Sequence, residues 1–248
     1  MKQYKNYIFD FYGTLVDIET DETKPSFWKK MAEVYRVYGA DYSWKELRDT
    51  YLSMVKEEQV ILANEIHTDY PEILLEKVFL RLLKEAKHCH KTGFVINSED
   101  DFLFHISNSF RILSRKSIGA YPNTVLTLTE LKKRECNVYL LSNAQGIFTR
   151  PEIELTGVAE YLDDIFISSD HKRMKPDPIF LKELMEKYKL RKEDTVMIGN
   201  DFTSDMGIAH ACGIDGIFLN SFRYNATELK EKNLYHHPVI SDISEILI

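Results

Sequence analysis

The chain has 248 residues, 44% of them hydrophobic, and 32 basic against 39 acidic side chains give a net charge of −7. This apolar fraction supports a packed core and excludes wholesale disorder. An acidic chain lacks the broad basic surface that binds nucleic acid or an anionic membrane. No apolar run approaches the roughly 18 residues of a membrane span. With no predicted signal peptide and three widely spaced cysteines, we expect a cytoplasmic protein with reduced thiols.

Five short apolar runs predict β-strands. They span residues 5–9, 137–141, 164–168, 195–198 and 216–219. Polar and apolar residues do not alternate in these runs, which indicates strands buried on both faces of a parallel sheet. Between them, residues 124–135 and 178–188 repeat apolar residues at helical spacing. Strands that alternate with helices predict an α/β fold with a Rossmann-like parallel sheet.

Residues 17–117 differ from the rest of the chain, because they contain no convincing strand. Four helical patterns replace the strands: one spans 25–38, and the others begin at Ser43, Pro71 and Ser98. Pro71 is expected in the first turn of its helix, where the missing amide proton costs nothing. The sequence therefore predicts an α-helical cap at 17–117, inserted into an α/β core formed by 1–16 and 118–248.

Polar residues follow the predicted strands or precede a predicted helix. The four segments carry Asp10, Tyr12, Gly13 and Thr14; Ser142 and Asn143; Lys175; and Asn200, Asp201 and Asp205. Ligands of open parallel sheets bind where the carboxyl ends of the strands meet loops and helices. If the strands are neighbours, we expect these four segments to converge on one small volume.

The residue types in that volume suit the chemistry of a phosphoryl group. A carboxylate at a strand end, such as Asp10, can attack an electrophile and form a covalent intermediate. Clustered carboxylates suit Mg²⁺, which accepts few protein ligands and completes its shell with water and phosphate. The Lys175 ammonium and the hydroxyls of Thr14 and Ser142 can neutralise charge on the phosphoryl oxygens. Gly13 lets the backbone approach a bound anion closely.

The segments FDFYGTLVD, VYLLSN, KPDP and GNDFTSD stand in the order and approximate spacing of the haloacid dehalogenase superfamily. The chain resembles the subfamily with a helical cap after the first motif, and the resemblance covers nearly the whole chain. It implies that Asp10 is the nucleophile and that Ser142 binds phosphate. It also implies that Lys175 orients Asp10 and the substrate, and that Asn143 contacts the substrate. The acids of GNDFTSD would help to hold Mg²⁺.

The first departure from the family pattern is Tyr12. Family phosphatases usually place there a second aspartate that acts as general acid and base, whereas tyrosine is typical of the haloacid dehalogenase branch. The backbone carbonyl of residue 12, a metal ligand in the family, is retained. General acid catalysis is typically worth about 10²–10⁴-fold. We therefore expect a slow phosphatase, a proton donor from the cap, or a preference for activated leaving groups such as acyl phosphates.

The second departure is Asn200, where many relatives have the first aspartate of the fourth motif. Two alternatives follow: Asn200 takes the first metal position through its amide oxygen, or Asp201 takes it and Asp205 supports it one helical turn later. The acid pair Asp201 and Asp205 argues for a cation, because two buried carboxylates without one would repel each other.

We therefore predict a Mg²⁺-dependent phosphatase that acts on a small phosphorylated metabolite through an aspartyl-phosphate. Asp10, Tyr12 and Lys175 are the predicted catalytic residues. The predicted metal site comprises Asp10, Tyr12, Asn200, Asp201 and Asp205. Two alternatives stay open. Tyr12 favours a metal-independent 2-haloacid dehalogenase, and the third possibility is a catalytically weak relative that binds a phosphorylated ligand.

Overall fold

The computed structural model describes residues 2–93 and 98–248. The chain divides into two compact units. The α/β unit comprises residues 1–18, 68–70 and 118–248, and the helical unit comprises residues 19–67 and 71–117. The short segment 68–70 therefore belongs to the α/β unit, although the chain on both sides of it is helical-unit sequence. Nothing in the sequence indicated this assignment.

The strands described here are eight in number. In chain order they are β1 (Asn6–Phe9), β2 (Val16–Thr20), β3 (Arg115–Ala120), β4 (Asn137–Ser142), β5 (Asp164–Ile167), β6 (Thr195–Gly199), β7 (Asp215–Leu219) and β8 (Val239–Ile240). Six of them form one sheet in the order β5-β4-β1-β6-β7-β8. Every pair in that sheet is parallel. The predicted α/β fold with a parallel sheet is confirmed, with β8 as an additional edge strand.

In the described part of the α/β unit, six α-helices accompany the sheet. They are α5 (Thr124–Lys133), α6 (Gly146–Leu155), α7 (Ser168–His171), α8 (Pro178–Tyr188), α9 (Asp205–Cys212) and α10 (Ala226–Lys232). Successive residues of β1 enter different cores. Phe9 packs in the same cluster as Leu128 of α5, whereas Ile8 packs with Phe180 of α8 and Ile208 of α9. Both faces of β1 are thus buried, which explains its unbroken apolar run.

Strands β2 and β3 pair with each other in a separate two-stranded sheet. The prediction that residues 17–117 contain no strand is therefore wrong at both ends of that range. Both strands are largely exposed or half-buried, and both are rich in charged and small residues. Such sequences have no apolar run to mark them. Their extended conformation depends on a partner that lies far away along the chain.

The helical unit contains α1 (Pro25–Val37), α2 (Trp44–Ile66), α3 (Leu75–Lys84) and α4 (Glu99–Ser114). Aromatic rings fill its core. The Phe110 ring lies 5.0 Å from that of Phe27 and 5.2 Å from that of Phe79, measured between ring centroids. Side-chain oxygens of Ser43 and Ser98 accept the expected N-terminal hydrogen bonds of α2 and α4. Among the described residues, no helix is both long and apolar enough to cross a membrane.

The predicted position of Pro71 in a first helical turn is wrong. Helix α3 begins at Leu75, and Leu74 before it has an extended backbone. The reason is tertiary, because residues 68–70 are held in the α/β unit. The chain must leave that unit before the third helix can begin.

Candidate active site

Asp10 directly follows β1, the central strand of the sheet. In the parallel register, Phe9 lies opposite Leu140 of β4 and Ile198 of β6, so the residues after all three strands meet at one edge. Asp10 is buried except for 8% of its surface. Its Oδ1 accepts hydrogen bonds from Ser142 Oγ at 3.1 Å and from Lys175 Nζ at 2.7 Å. No residue in the described part of the chain donates to its Oδ2.

Lys175 is the centre of a buried charged cluster. Its Nζ donates to Asp10 Oδ1, to Asp205 Oδ1 and to the Leu141 carbonyl, each at 2.7 Å. These contacts use all three protons of the ammonium group. Burial by itself would lower the pKa of Lys175, but the carboxylates of Asp10 and Asp205 outweigh it and raise the pKa. The amine therefore stays charged.

Asp205 is the second carboxylate on Lys175 and is 1% exposed. Burial raises the pKa of Asp205 to about 7; Lys175 opposes this shift and Asp10 adds to it. One ammonium thus faces two carboxylates in a site from which water is largely excluded. A further cation beside this cluster would favour the ionised form of Asp205.

Asn143 holds the backbone of the lysine rather than its side chain. The Asn143 Oδ1 accepts from the Lys175 amide at 2.7 Å, and its Nδ2 donates to the Lys175 carbonyl at 3.0 Å. This pair of bonds fixes both peptide groups of the residue that carries the buried amine. The structure therefore gives the Asn143 side chain a positioning contact within the site.

The Asp177 carboxylate, which the sequence analysis did not single out, anchors the same loop. It is 5% exposed and accepts from Thr68 Oγ1 at 2.6 Å, from Arg173 Nη1 at 2.7 Å and from the Ile179 amide at 3.0 Å. Burial would raise the pKa of Asp177, but these donors, first among them Thr68, lower it. The Tyr70 carbonyl also accepts from the Met174 amide at 3.1 Å. Residues 68–70 are thereby tied to the segment around Lys175.

Two glycines make room for the side chains that follow β6. Gly13 has a φ of +78°, and a Cβ there would lie 2.2 Å from Asn200 Nδ2. A Cβ on Gly199 would lie 2.2 Å from Asp205 Cγ. Both contacts are far closer than van der Waals packing allows, so each glycine is required by its neighbour. Thr14 Oγ1 donates to Asn200 Oδ1 at 3.3 Å, which joins the loop after β1 to the loop after β6.

Asp201 has a different environment from its two neighbours in the motif. Its side chain is exposed, and its Oδ1 accepts from the amides of Thr203 at 2.8 Å and Ser204 at 2.6 Å. It therefore stabilises the turn that leads into α9. Its own amide donates to Asp205 Oδ2 at 3.0 Å, which places the Asp205 side chain.

The residues at this edge of the sheet fit Mg²⁺ through oxygen donors. The Asp10 carboxylate and the Asn200 amide are hard ligands, and Mg²⁺ needs only one or two carboxylates when water and phosphate complete its shell. Within the described ranges, no group of three or more His, Cys, Asp or Glu side chains is arranged to hold a metal. Both oxygens of Asp205 already accept hydrogen bonds. The fit therefore depends on fewer acids than the sequence pattern offered.

Tyr12 directs its hydroxyl into helix α6. The hydroxyl donates to Glu152 Oε2 at 2.5 Å and lies 3.0 Å from Thr149 Oγ1. Sequence reasoning missed Glu152, because an acid in an amphipathic helix normally indicates an exposed face. Here the side chain is buried, at 2% exposure, beside a tyrosine that stands 140 positions earlier in the chain.

The structure thus sorts the predicted site residues into groups. One hydrogen-bonded cluster contains Asp10, Ser142, Lys175 and Asp205. A neighbouring contact joins Asn200 to Gly13 and Thr14, and Asn143 holds the Lys175 backbone. The side chains of Tyr12 and Asp201 have hydrogen-bond partners outside this cluster. Strand ends from β1, β4 and β6 converge as expected. The site thus combines a buried carboxylate with a charged amine at one of its oxygens.

Residues 4–213 match the haloacid dehalogenase-like hydrolases, and the chain belongs to this family. The members of this family are described as hydrolases. A crystal structure of a 2-haloacid dehalogenase from Pseudomonas syringae pv. Tomato DC3000 superposes with a TM-score of 0.63, covering 99% of this chain and 98% of that one. At 18% identity, this likeness concerns the fold.

Curated relatives include phosphatases and a haloacid dehalogenase. The pyrimidine 5'-nucleotidase PynA of Streptococcus pneumoniae is 29% identical over 88% of this chain and 84% of its own length. The glyceraldehyde 3-phosphate phosphatase of Methanothermobacter thermautotrophicus is 29% identical over 51% of this chain. The matched region spans 56% of that phosphatase.

Proposed function

We propose that this hydrolase is a Mg²⁺-dependent phosphatase that acts on a small phosphorylated metabolite through an aspartyl-phosphate. The observation that carries the proposal is the asymmetry of the Asp10 carboxylate. Its Oδ1 is held by Ser142 and Lys175, while no described residue donates to Oδ2. An oxygen without a donor keeps its lone pairs available for attack on phosphorus. The phosphatase names among the relatives support a small phosphorylated substrate.

In the proposed reaction, Asp10 Oδ2 attacks phosphorus while Lys175 and Ser142 hold the other oxygen in place. The fixed carboxylate loses little entropy on reaching the reactive geometry. Bound Mg²⁺ would neutralise charge on the phosphoryl oxygens. The loop that carries Lys175 is fixed by Asn143 on its backbone and by Asp177 two residues later. These contacts keep the amine within 2.7 Å of the nucleophile.

We assign Asp10, the backbone carbonyl of Tyr12 and Asn200 as the residues that would hold Mg²⁺. Asn200 is buried and lies beside Gly13 of the loop after β1, whereas Asp201 is exposed and its Oδ1 serves the turn before α9. Asp205 would hold Lys175 in place and would not itself bind the metal. We also propose that residues 17–117 act as the cap and that 1–16 and 118–248 act as the hydrolase core.

The test is release of inorganic phosphate from 4-nitrophenyl phosphate and acetyl phosphate by the full chain. We expect hydrolysis with Mg²⁺, loss of hydrolysis on addition of EDTA, and recovery when excess Mg²⁺ is restored. Replacing Asn200 with Ala should raise the Mg²⁺ concentration needed for half-maximal rate by about tenfold or more. Asp201→Asn, with its turn contacts largely kept, should change it far less. A rate that EDTA leaves untouched would contradict the metal requirement.

A 2-haloacid dehalogenase is the second candidate, and Tyr12 is the observation that favours it. Halide leaves without a proton, so that chemistry needs no acid at position 12. The measurement is halide release from 2-chloropropionate in the presence of EDTA. Metal-independent halide release without phosphatase activity would replace the first proposal by the second.

A further inference from the structure

The hydroxyl of Tyr12 has one proton, and that proton has a partner. A phenol donates once, and Tyr12 donates to Glu152 Oε2 at 2.5 Å. Its oxygen also lies 3.0 Å from Thr149 Oγ1. The position at which a phosphatase of this family carries an acid therefore holds a hydroxyl already committed to helix α6.

The surroundings of this hydroxyl differ from those of the nucleophile. Thr149 is fully buried and Glu152 is 2% exposed, so the phenol oxygen ends among buried side chains. Asp10 retains 8% exposure, and none of the described residues donates to its Oδ2. The substrate must reach that oxygen from the open side. The Tyr12 proton points toward α6 instead.

The other side chains that touch Asp10 have no proton to give either. Lys175 uses all three ammonium protons on Asp10, Asp205 and the Leu141 carbonyl. Ser142 donates its proton to Asp10. In the described α/β unit, the immediate contacts of the nucleophile thus bind and orient, but they supply no general acid.

We infer that this hydrolase is selective for phosphorylated compounds whose leaving group departs as a stable anion, namely acyl phosphates and aryl phosphates. This inference rests on the proposed phosphatase function. In the first step Asp10 Oδ2 forms a bond to phosphorus, and the bond from phosphorus to the leaving oxygen breaks. The electron pair stays on that oxygen, which leaves as a carboxylate or phenolate. Alkyl phosphates would have to expel an alkoxide and react slowly.

The second step lacks a general base for the same reason. Water attacks the phosphorus of the aspartyl-phosphate, its proton passes to solvent, and the bond to Asp10 breaks to restore the carboxylate. With an activated substrate the first step is fast, so hydrolysis of the common intermediate limits the rate. Different acyl and aryl phosphates should then share one kcat, and each should show a burst of leaving group close to one equivalent per active site.

The first experiment uses the unmodified full chain with Mg²⁺ and a leaving-group series: acetyl, 4-nitrophenyl, phenyl and ethyl phosphate. We expect kcat/KM to fall by about 10³-fold or more from the first to the last, since no acid offsets the rising basicity of the leaving oxygen. A series that stays within about tenfold, without a burst, would overturn the inference.

The second experiment compares Tyr12→Asp with Tyr12→Asn. Both variants remove the phenol that contacts Glu152. Only the aspartate can act as a general acid, because the asparagine amide does not release a proton. We expect Tyr12→Asp to exceed Tyr12→Asn in kcat/KM on ethyl phosphate by about 10²-fold, but by less than about threefold on acetyl phosphate. Its rate on ethyl phosphate should also fall as the pH rises through the pKa of the new aspartate, a dependence that Tyr12→Asn lacks. Equal rates on ethyl phosphate in two folded variants count against the inference.

Different results would contradict the phosphatase function and the leaving-group selectivity. If no substrate of the series releases phosphate with Mg²⁺, the proposed function itself is wrong. If phosphate is released with a shallow dependence on the leaving group, the phosphatase assignment survives and the selectivity does not. If neither Tyr12 variant folds, the leaving-group series on the unmodified chain still decides the question.

Discussion

The interiors of the two units are built from different chemistry. In the α/β unit, the strand ends bury a lysine between two carboxylates, at distances of 2.7 Å. In the helical unit, the centre is a set of aromatic rings 5.0–5.2 Å apart around Phe110. The first interior is held by charge and hydrogen bonds, and the second by apolar burial and ring packing.

Because the two interiors differ, a substitution in one should have different effects from a substitution in the other. A buried ion pair adds little net stability relative to an apolar core, yet breaking it is expensive. An aromatic core stabilises in proportion to the apolar area that it buries. Substitutions in the α/β cluster should therefore affect both activity and stability, whereas substitutions in the aromatic cluster should act through stability.

The largest expected effect is on activity. Asp10→Asn removes the proposed nucleophile with almost no change in shape, and we expect phosphate release to fall by at least about 10³-fold. The matched control is Asp100→Asn, an exposed acid in the first turn of α4, which should keep full activity. Unchanged turnover in Asp10→Asn would show that Asp10 is not the nucleophile. The charged cluster of the α/β unit would then have no demonstrated role in activity.

The next effect is on the stability of the α/β unit. Lys175→Met leaves Asp10 and Asp205 buried without their shared cation, and we expect a loss of about 3–5 kcal/mol in the free energy of unfolding. The control is Lys187→Met, which removes a cation from Asp164 where the lysine side chain is 55% exposed. That change should cost no more than about 1 kcal/mol. Urea denaturation of both variants without metal gives the comparison.

In the helical unit, Phe110→Ala opens a cavity among Phe27, Trp28 and Phe79. We expect it to cost about 3–5 kcal/mol. Ile112→Ala, at a position 64% exposed on the same helix, should stay within about 0.5 kcal/mol of the unmodified chain. Denaturation monitored by tryptophan fluorescence measures both variants. Similar values for the two substitutions would show that the aromatic cluster is not the core of its unit.

The smallest effect concerns the segment 68–70 of the α/β unit. Thr68→Val removes a 2.6 Å hydrogen bond to the buried Asp177 carboxylate, and we expect it to cost about 1.5–3 kcal/mol. Thr23→Val removes a similar bond to Asp21, at 2.7 Å, on an exposed surface. It should change the free energy of unfolding by less than about 0.5 kcal/mol. Equal costs, again from urea denaturation, would mean that Thr68 contributes no buried anchor to the Lys175 loop.

The sequence by itself determined the sheet and the gathering of Asp10, Ser142 and Lys175 at its edge. The strands are short apolar runs, and this signal is local, because each strand is buried on both faces whatever its neighbours are. Polar residues at the ends of such strands can meet only at one edge of the sheet. Asp10, Ser142 and Lys175 are therefore found together, as the motif order indicates.

Only the tertiary structure decided the contacts whose partners lie far apart and carry no periodic signal. The hydroxyl of Tyr12 meets Glu152 across 140 positions, and Thr68 meets Asp177 across 109. Neither pair interrupts a hydrophobic pattern, so neither can be read from one stretch of chain. The same holds for β2 and β3, whose polar sequences become strands only by pairing. A periodicity reports which face of an element is buried, but the partner on that face is chosen by the packing of the whole unit.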